Sequence, residues 1–285
     1  MKNQSTGNLR LAALTAVIGT GLSAIAYAGT PAPMVEEVAV VEDDSVVSGS
    51  LSFDLNSHFM SYGLDVWGGG DSFGGNSTFN PSLELSWGIT DNFSLILGTW
   101  WDVNNNVTSS IGGDLQEVDV WAGGSYAMGD WSFTALYQAW IYGGDTEKVF
   151  DFSVGYSITD SLSASLLWHN RNSPGASGGQ NGNILVPGIE YAFDLGPVSF
   201  AVPVAAGFFL EDSFHPGTAL VPVTDSGFGY FSVGLSASYA LPIDDKFGEW
   251  DIHGGITYFA TEDDVIPTNP SDSFFTWNVG IGCSF

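Results

Sequence analysis

From Gly49 to the last residue, Phe285, apolar residues recur at every second position in segments of about ten, with small or polar residues between them. The closing stretch shows the rule. Phe275, Trp277, Val279, Ile281, Cys283 and Phe285 fall on one side, and Phe274, Thr276, Asn278, Gly280, Gly282 and Ser284 on the other. A period of two puts alternate side chains on opposite faces of a strand, so each segment predicts a strand with one face to bury in apolar surroundings. The segments are Gly49 to Met60, Asn80 to Ile89, Phe93 to Val103, Leu115 to Met128, Trp131 to Tyr142, Lys148 to Ile158, Leu162 to His169, Ile184 to Phe193, Val198 to Leu210, Gly229 to Leu241, Trp250 to Ala260 and Ser273 to Phe285. That is about twelve, an even number, as expected of a bacterial barrel.

The connections sort by parity. Thr90-Asp91-Asn92, Gly129-Asp130, Thr159-Asp160-Ser161 and Asp194 to Pro197 are short turns, with the somewhat longer Pro242 to Glu249 in the corresponding place late in the chain. The connections between them are mostly long and rich in Gly, Asn, Ser and Asp, as in "NNNVTSSIGGD" and "NRNSPGASGGQNGN". A soluble sandwich has no reason to sort its loops this way. The fold class expected is therefore all-β: a transmembrane antiparallel up-and-down β-barrel of about twelve strands, with tight turns and both termini on the periplasmic side. Trp87, Phe93, Tyr126, Trp131, Tyr156, Phe193, Tyr239, Trp250 and Phe285 lie near the short-turn ends, where an aromatic girdle meets lipid head groups.

The N-terminus changes the picture of domains. Lys2 and Arg10 flank a polar start, Leu11 to Ile25 is apolar and small, and Ala26-Tyr27-Ala28 is an A-x-A cleavage site, so residues 1–28 read as a signal peptide. Residues 29–48 carry two early prolines and then five acidic residues among valines, which reads as an acidic periplasmic linker or, alternatively, a plug entering the lumen. Residues 49–285 are the barrel. After Ile25 no apolar run is long enough for a membrane helix, so strands alone could cross a bilayer.

A terminal Phe285 preceded by alternating apolar residues resembles the C-terminal signature of porin-type outer-membrane proteins, and the pattern of strands and loops from Gly49 onward is similar to that class. The stretch "LSFDLNSHFMSYGL" also resembles the first strand of the TorF-like porins. The resemblance implies location in the outer membrane of a Gram-negative bacterium, contact with its lipids, and recognition of the last strand by the barrel-assembly machinery.

Fixing the outward face fixes the inward one. Asp54, Glu84, Glu117, Asp119, Asp151, Glu190 and Asp251 then line the lumen, with Asn56, His58, Gln138 and His253. Small inward residues such as Gly98, Gly155, Gly207 and Gly280 leave space, and twelve strands suit a narrow water-filled passage, with Trp100, Trp121 and Trp140 as a constriction. A carboxylate lining favours cations. The competing reading makes the carboxylates a hydrogen-bonded polar core, for which inward basic partners are few. Formal charge is −27, and only Lys148, Arg171 and Lys246 are basic beyond the cleavage site, which excludes nucleic acid as a partner. A saline habitat would also account for the acidity.

Catalysis is not expected. None of His58, His169, His215 and His253 is followed by Ser in a His-x-Ser pairing, and no nucleophile and base are specified. The histidines lack metal-ligand spacing, so no metal and no cofactor are expected. Cys283, the single cysteine, reads as a small apolar residue of the last strand. The function expected is a porin-like channel for passive diffusion of small hydrophilic solutes or cations. The alternative is a non-conducting structural or adhesive barrel working through its outer loops.

Overall fold

The computed structural model describes residues 47–74 and 76–285. The signal peptide and all of the acidic linker up to residue 46 lie outside the described residues; Val47 and Ser48 already belong to the first strand. Twelve strands form one closed antiparallel barrel. They are β1 (Val47–Asn56), β4 (Thr78–Thr90), β5 (Phe93–Val103), β6 (Leu115–Met128), β7 (Trp131–Ile141), β8 (Thr146–Thr159), β9 (Leu162–Ser173), β10 (Gly182–Leu195), β11 (Val198–Phe209), β12 (Gly227–Ala240), β13 (Glu249–Thr261) and β14 (Ser273–Ser284). Two short strands, β2 (Met60–Ser61) and β3 (Leu64–Asp65), make a separate hairpin.

Closure comes from β1, which pairs with β4 on one side and β14 on the other, with Phe53 opposite both Pro81 and Ile281. The terminal residue continues the seam: the Gly49 and Phe285 backbones exchange hydrogen bonds of 2.7 and 3.0 Å. Closure leaves no strand edge unpaired, which an open sheet in lipid could not tolerate. Three prolines fit because each gives up pairing on one side. Pro81, Pro187 and Pro203 pair with β1, β9 and β10 respectively and are skipped in the ladder to the other neighbour.

The outward set of every strand is apolar and exposed, as in Leu95 and Leu97 on β5, Ile189 and Tyr191 on β10, and Ile252 and Ile256 on β13. Near the short turns the aromatics meet one another: the Trp131 and Tyr156 rings lie 4.6 Å apart, and Phe193 and Phe200 5.3 Å. An uninterrupted apolar belt with aromatics at its edge is what a bilayer requires. We name the long connections L1 (57–77), L2 (104–114), L3 (142–145), L4 (174–181), L5 (210–226) and L6 (262–272).

The first segment departs from expectation. Strand character was expected to Met60, yet β1 stops at Asn56. There Ser57 still bonds Trp277, its N–H donating to the carbonyl at 2.9 Å and its Oγ accepting from the N–H at 2.8 Å, and beyond it His58, Phe59 and Met60 turn inward and are buried. L1 therefore enters the lumen.

Candidate functional site

The lumen is two environments stacked along the barrel axis. In the half next to the long loops the inward side chains are large, an apolar set of Trp140, Ile184, Phe209, Tyr230, Phe259 and Phe274 standing beside buried charged ones such as Glu117, Glu147, Asp151 and Arg171. The apolar set packs against Met60 and Tyr62 of L1, Phe214 of L5, and Val265 and Ile266 of L6 to form one buried core. Trp100 is buried beneath Phe59, their rings 5.3 Å apart. In the half next to the short turns the inward positions are serine and glycine, such as Ser86, Ser94, Ser125, Ser163, Gly234 and Ser238, and most stay accessible.

L1 is held at its tip. Tyr62 and Gly63 join β2 to β3 with φ of 47° and 82°, the two positive values a tight hairpin turn needs. Gly63 is required twice over, because a Cβ there would lie 2.7 Å from the Tyr230 ring. Tyrosine is unusual at positive φ, and its contacts hold it there. The Tyr62 hydroxyl meets His169 Nδ1 at 2.7 Å, and the Tyr62 carbonyl accepts from His215 Nε2 at 3.1 Å. Burial, and after it the Asp151 charge, raise the Tyr62 phenol well above its usual range. Burial, and then the Arg171 guanidinium, lower His215 to about 3, so its imidazole is neutral. Further along L1, Trp67 Nε1 donates to Asp102 at 3.0 Å, and the Asn269 side chain of L6 bonds both Asp65 N and the Gly63 carbonyl at 2.8 Å.

The seven carboxylates expected to line the lumen each alternate with the exposed apolar set of their strand. Asp54 and Asp251 grip one imidazole: His253 Nε2 lies 2.7 Å from Asp54 and Nδ1 2.6 Å from Asp251. The bridge crosses the intervening strand β14 over Gly280, where a Cβ would sit 2.2 Å from the Asp54 carboxylate. Glu84 accepts from Trp121 Nε1 at 2.8 Å. Asp151 is buried against His169 at 2.7 Å and accepts from Gln138. Glu117 and Asp119 are buried side by side on β6, and Glu190 stands half-buried between Ser163 and Pro203 in the ladder. Glu147, which sequence reasoning passed over, forms the barrel's tightest ion pair, with Arg171 at 2.5 Å. Arg171 also donates to the Phe214 carbonyl at 2.6 Å and covers the Phe214 ring at 3.7 Å, tying L5 to the wall.

Two sequence expectations need correction. Partners for the carboxylates are not scarce: His253, His169 and Arg171 engage four of the inward acids, counting Glu147. The signal was present in the even spacing of Asp251 with His253, and of His169 with Arg171, which puts each pair on one face. Gly98 and Gly207 do not leave open space either. Trp121 lies over the first and Tyr230 over the second, so close that a Cβ would fall 2.2 and 2.0 Å from their rings. These glycines admit flat aromatic side chains to the wall.

No family model matches the chain, and neither does any curated protein. Among solved structures it is similar to a KdgM porin (14% identity, covering 83% of this chain and 99% of that one, TM-score 0.46). A NanC porin has 8% identity, covers 83% and 98% of the two chains, and gives a TM-score of 0.43. A bacterial polysaccharide outer membrane secretin has 10% identity, covers 84% and 98%, and gives 0.41. The site is read from this chain's own residues.

Proposed function

We propose that the chain is an outer-membrane channel of a Gram-negative bacterium, passing small hydrophilic solutes by passive diffusion with a preference for cations. The observation that supports it is the contrast across the barrel wall: an apolar belt on every strand encloses a lining of hydroxyls, glycines and carboxylates. A barrel with nothing to pass could fill its inside with apolar side chains from end to end. In this reading the short-turn end, with both chain termini, faces the periplasm, and the lining of that half is a vestibule. L1 with Trp100, Trp121 and Trp140 forms the constriction. Glu84, Glu190, Asp54 and Asp251 set the field in the vestibule; Asp151, Glu117 and Asp119 act above it. Phe285 offers the barrel-assembly machinery its recognition end.

Single-channel recording of the refolded protein in a planar bilayer under a salt gradient tests the reading. Discrete steps with a reversal potential on the cation side are expected. Glu84→Gln with Glu190→Gln and Asp251→Asn moves that potential toward zero, and an unmoved potential removes the carboxylates from selectivity.

One observation favours a second reading. The long-loop half is filled by a continuous buried apolar cluster, with Met60 and Ile266 fully buried. A correctly folded barrel that stays silent in the bilayer would make this a non-conducting barrel acting through its loops.

A further inference from the structure

Near the long loops, one stretch of the barrel wall is made by a loop. β1 ends at Asn56, opposite Asn278 of β14 and Thr78 of β4, whereas β14 runs on beside β13 to Ser273, with L1 taking the place of β1. L1 reaches that place from inside. After Tyr62, deep in the core, the chain passes Gly69, where a Cβ would lie 2.6 Å from the buried His58 ring, and comes out beside L6, whose Ser271 hydroxyl donates to Asp71 at 3.2 Å. It then lies on the outer wall. The Phe73 ring is 5.7 Å from that of Trp277, and a Cβ on Gly74, at φ 99°, would sit 3.3 Å from the same indole. Trp277 belongs to the outward set of β14, between Phe275 and Val279, which are 56 and 51% exposed. One loop thus has its tip in the lumen and a bend on the lipid-facing side.

The bend carries one apolar group. In "GGGDSFGGNST", Gly68 to Thr78, Phe73 is the single apolar side chain, and it is 77% exposed. A place in the core was within reach, since the same loop supplies Phe59, Met60 and Tyr62 to the inside. Turns hold Phe73 outward instead: the Ser72 N–H donates to the Gly69 carbonyl at 3.0 Å, the Gly74 N–H to the Ser72 carbonyl at 2.8 Å, and the Ser77 hydroxyl to the Gly74 carbonyl at 2.8 Å. Asp71 and Asn76, on either side, turn back to Ser271 and the Trp67 carbonyl. A phenyl ring fixed toward water gains nothing, whereas the same ring beside an apolar belt extends that belt. Through Trp277 the patch is continuous with Phe275 and Val279, the surface a bilayer covers. Aromatic rings at the edge of such a belt settle where acyl chains give way to head groups.

We propose that Phe73, with Trp277 beneath it, is a lipid-docking patch that sits among the acyl chains of the leaflet at the long-loop end and so anchors the lumen-filling loop L1 to the bilayer from outside. The loop is then held twice, by Tyr62 in the core and by Phe73 in lipid. The inference rests on the barrel's lying in a membrane and not on its conducting, so a barrel silent in the bilayer leaves it standing.

Nitroxide accessibility tests it on the refolded chain in lipid nanodiscs. In a Cys283→Ala background a spin label is placed through Phe73→Cys, through Val279→Cys in the belt and through Asn105→Cys on the exposed part of L2. Oxygen concentrates among acyl chains and a polar nickel chelate stays in water, so the label at 73 should respond as the one at 279 does, relaxed by oxygen and spared by the chelate. A label at 73 that behaves like the one at 105 overturns the proposal. If the label at 279 also behaves like that at 105, the membrane reading of the whole barrel falls with it. A label at 73 shielded from both reagents, or broadened by a second label, puts protein on the patch, a second copy in the broadened case, and overturns lipid as its occupant. Anchoring has its own readout: Phe73→Ser should quicken chymotrypsin cleavage after Trp67 in the same nanodiscs, and cleavage no faster than in the wild type overturns it. If the labelled chain does not refold, Phe73→Trp keeps a ring at the site, and lipids brominated along their acyl chains should quench the emission it adds. Added emission that bromine leaves unquenched is then the overturning result.

Discussion

The two halves of this lumen are built on the same twelve strands with the same alternation, yet one is a core and the other a lined space. On β12 the inward series runs Tyr230, Ser232, Gly234, Ser236, Ser238; on β8 it runs Glu147, Val149, Asp151, Ser153, Gly155, Ser157. Bulk falls along both of these strands from the long loops toward the short turns. Alternation decides which side chains face in. It does not decide whether the inside is filled, because that depends on what else enters. L1 enters only the long-loop half, and the bulky inward residues are found where it packs.

The largest expected effect follows from removing that guest. Replacing residues 58–76 with a short Gly-Ser turn leaves the pairing of β1 with β4 and β14 untouched. Met60 and Tyr62 leave the core, and single-channel conductance should rise several-fold. An unchanged conductance would mean that the narrowest point lies elsewhere and that the two halves differ in packing without differing in passage.

The next test asks how much the long-loop half depends on its buried pair. Glu147→Gln leaves the Arg171 guanidinium buried without its anion, and breaking such a pair costs about 3–5 kcal/mol. Denaturant unfolding in detergent should show that loss, together with faster chymotrypsin cleavage in L5, since Arg171 holds the Phe214 carbonyl. A loss below about 1 kcal/mol would give this pair no more weight than a surface one.

Acidity separates the halves in a third way. His215 is neutral when docked, at about 3, against about 6.5 when free. The undocked state therefore binds the extra proton between those values, and docking of L1 and L5 weakens as pH falls from about 6.5 toward 3. The loss is at most about 1.4 kcal/mol for each pH unit crossed. Tryptophan fluorescence, reporting Trp67 and Trp140, should follow it. His215→Gln keeps a donor to the Tyr62 carbonyl and cannot be charged, so its profile should be flatter than the wild type's. Identical profiles would take His215 out of the acid response.

What could be read without the structure divides along the same line. Strand number, facing, turn parity and the girdle depend on a period of two and on local turn residues, and these are written in consecutive positions such as Phe274 to Phe285. The alternation of the seven carboxylates with apolar positions is local in the same way. The path of L1 is not. "SYGLDVWGGGDSFGGNST" has the glycines and polar residues of an outer loop, and Tyr62 docks against His169 and His215, and Gly63 against Tyr230, all more than a hundred residues away. Pairings such as Asp54 with His253 are hidden likewise, because nothing local announces a contact between the first strand and the thirteenth. The fall in inward bulk along β8 and β12 was present in the sequence, and is the clue that would have located the core.

The smallest expected effect sets the scale for the others. At the short-turn end the chain makes a single 3-10 turn, η1 (Asp245–Phe247), where Lys246 pairs with Asp244 at 2.7 Å and rests on the Phe247 ring at 4.8 Å. The separation is only 0.2 Å longer than the 2.5 Å of Arg171 with Glu147, but both partners are about 60% exposed. Water already solvates these charges, so Lys246→Ala should cost at most about 1 kcal/mol, and added salt should erase the difference. Glu147→Gln, by contrast, should stay costly at any ionic strength, because its partner is shielded from solvent by Phe214 and the loops above it. Measured side by side in low and high salt, the two variants test burial against distance. If Lys246→Ala proves as damaging as Glu147→Gln, the halves differ in shape alone, and the electrostatic part of the comparison falls.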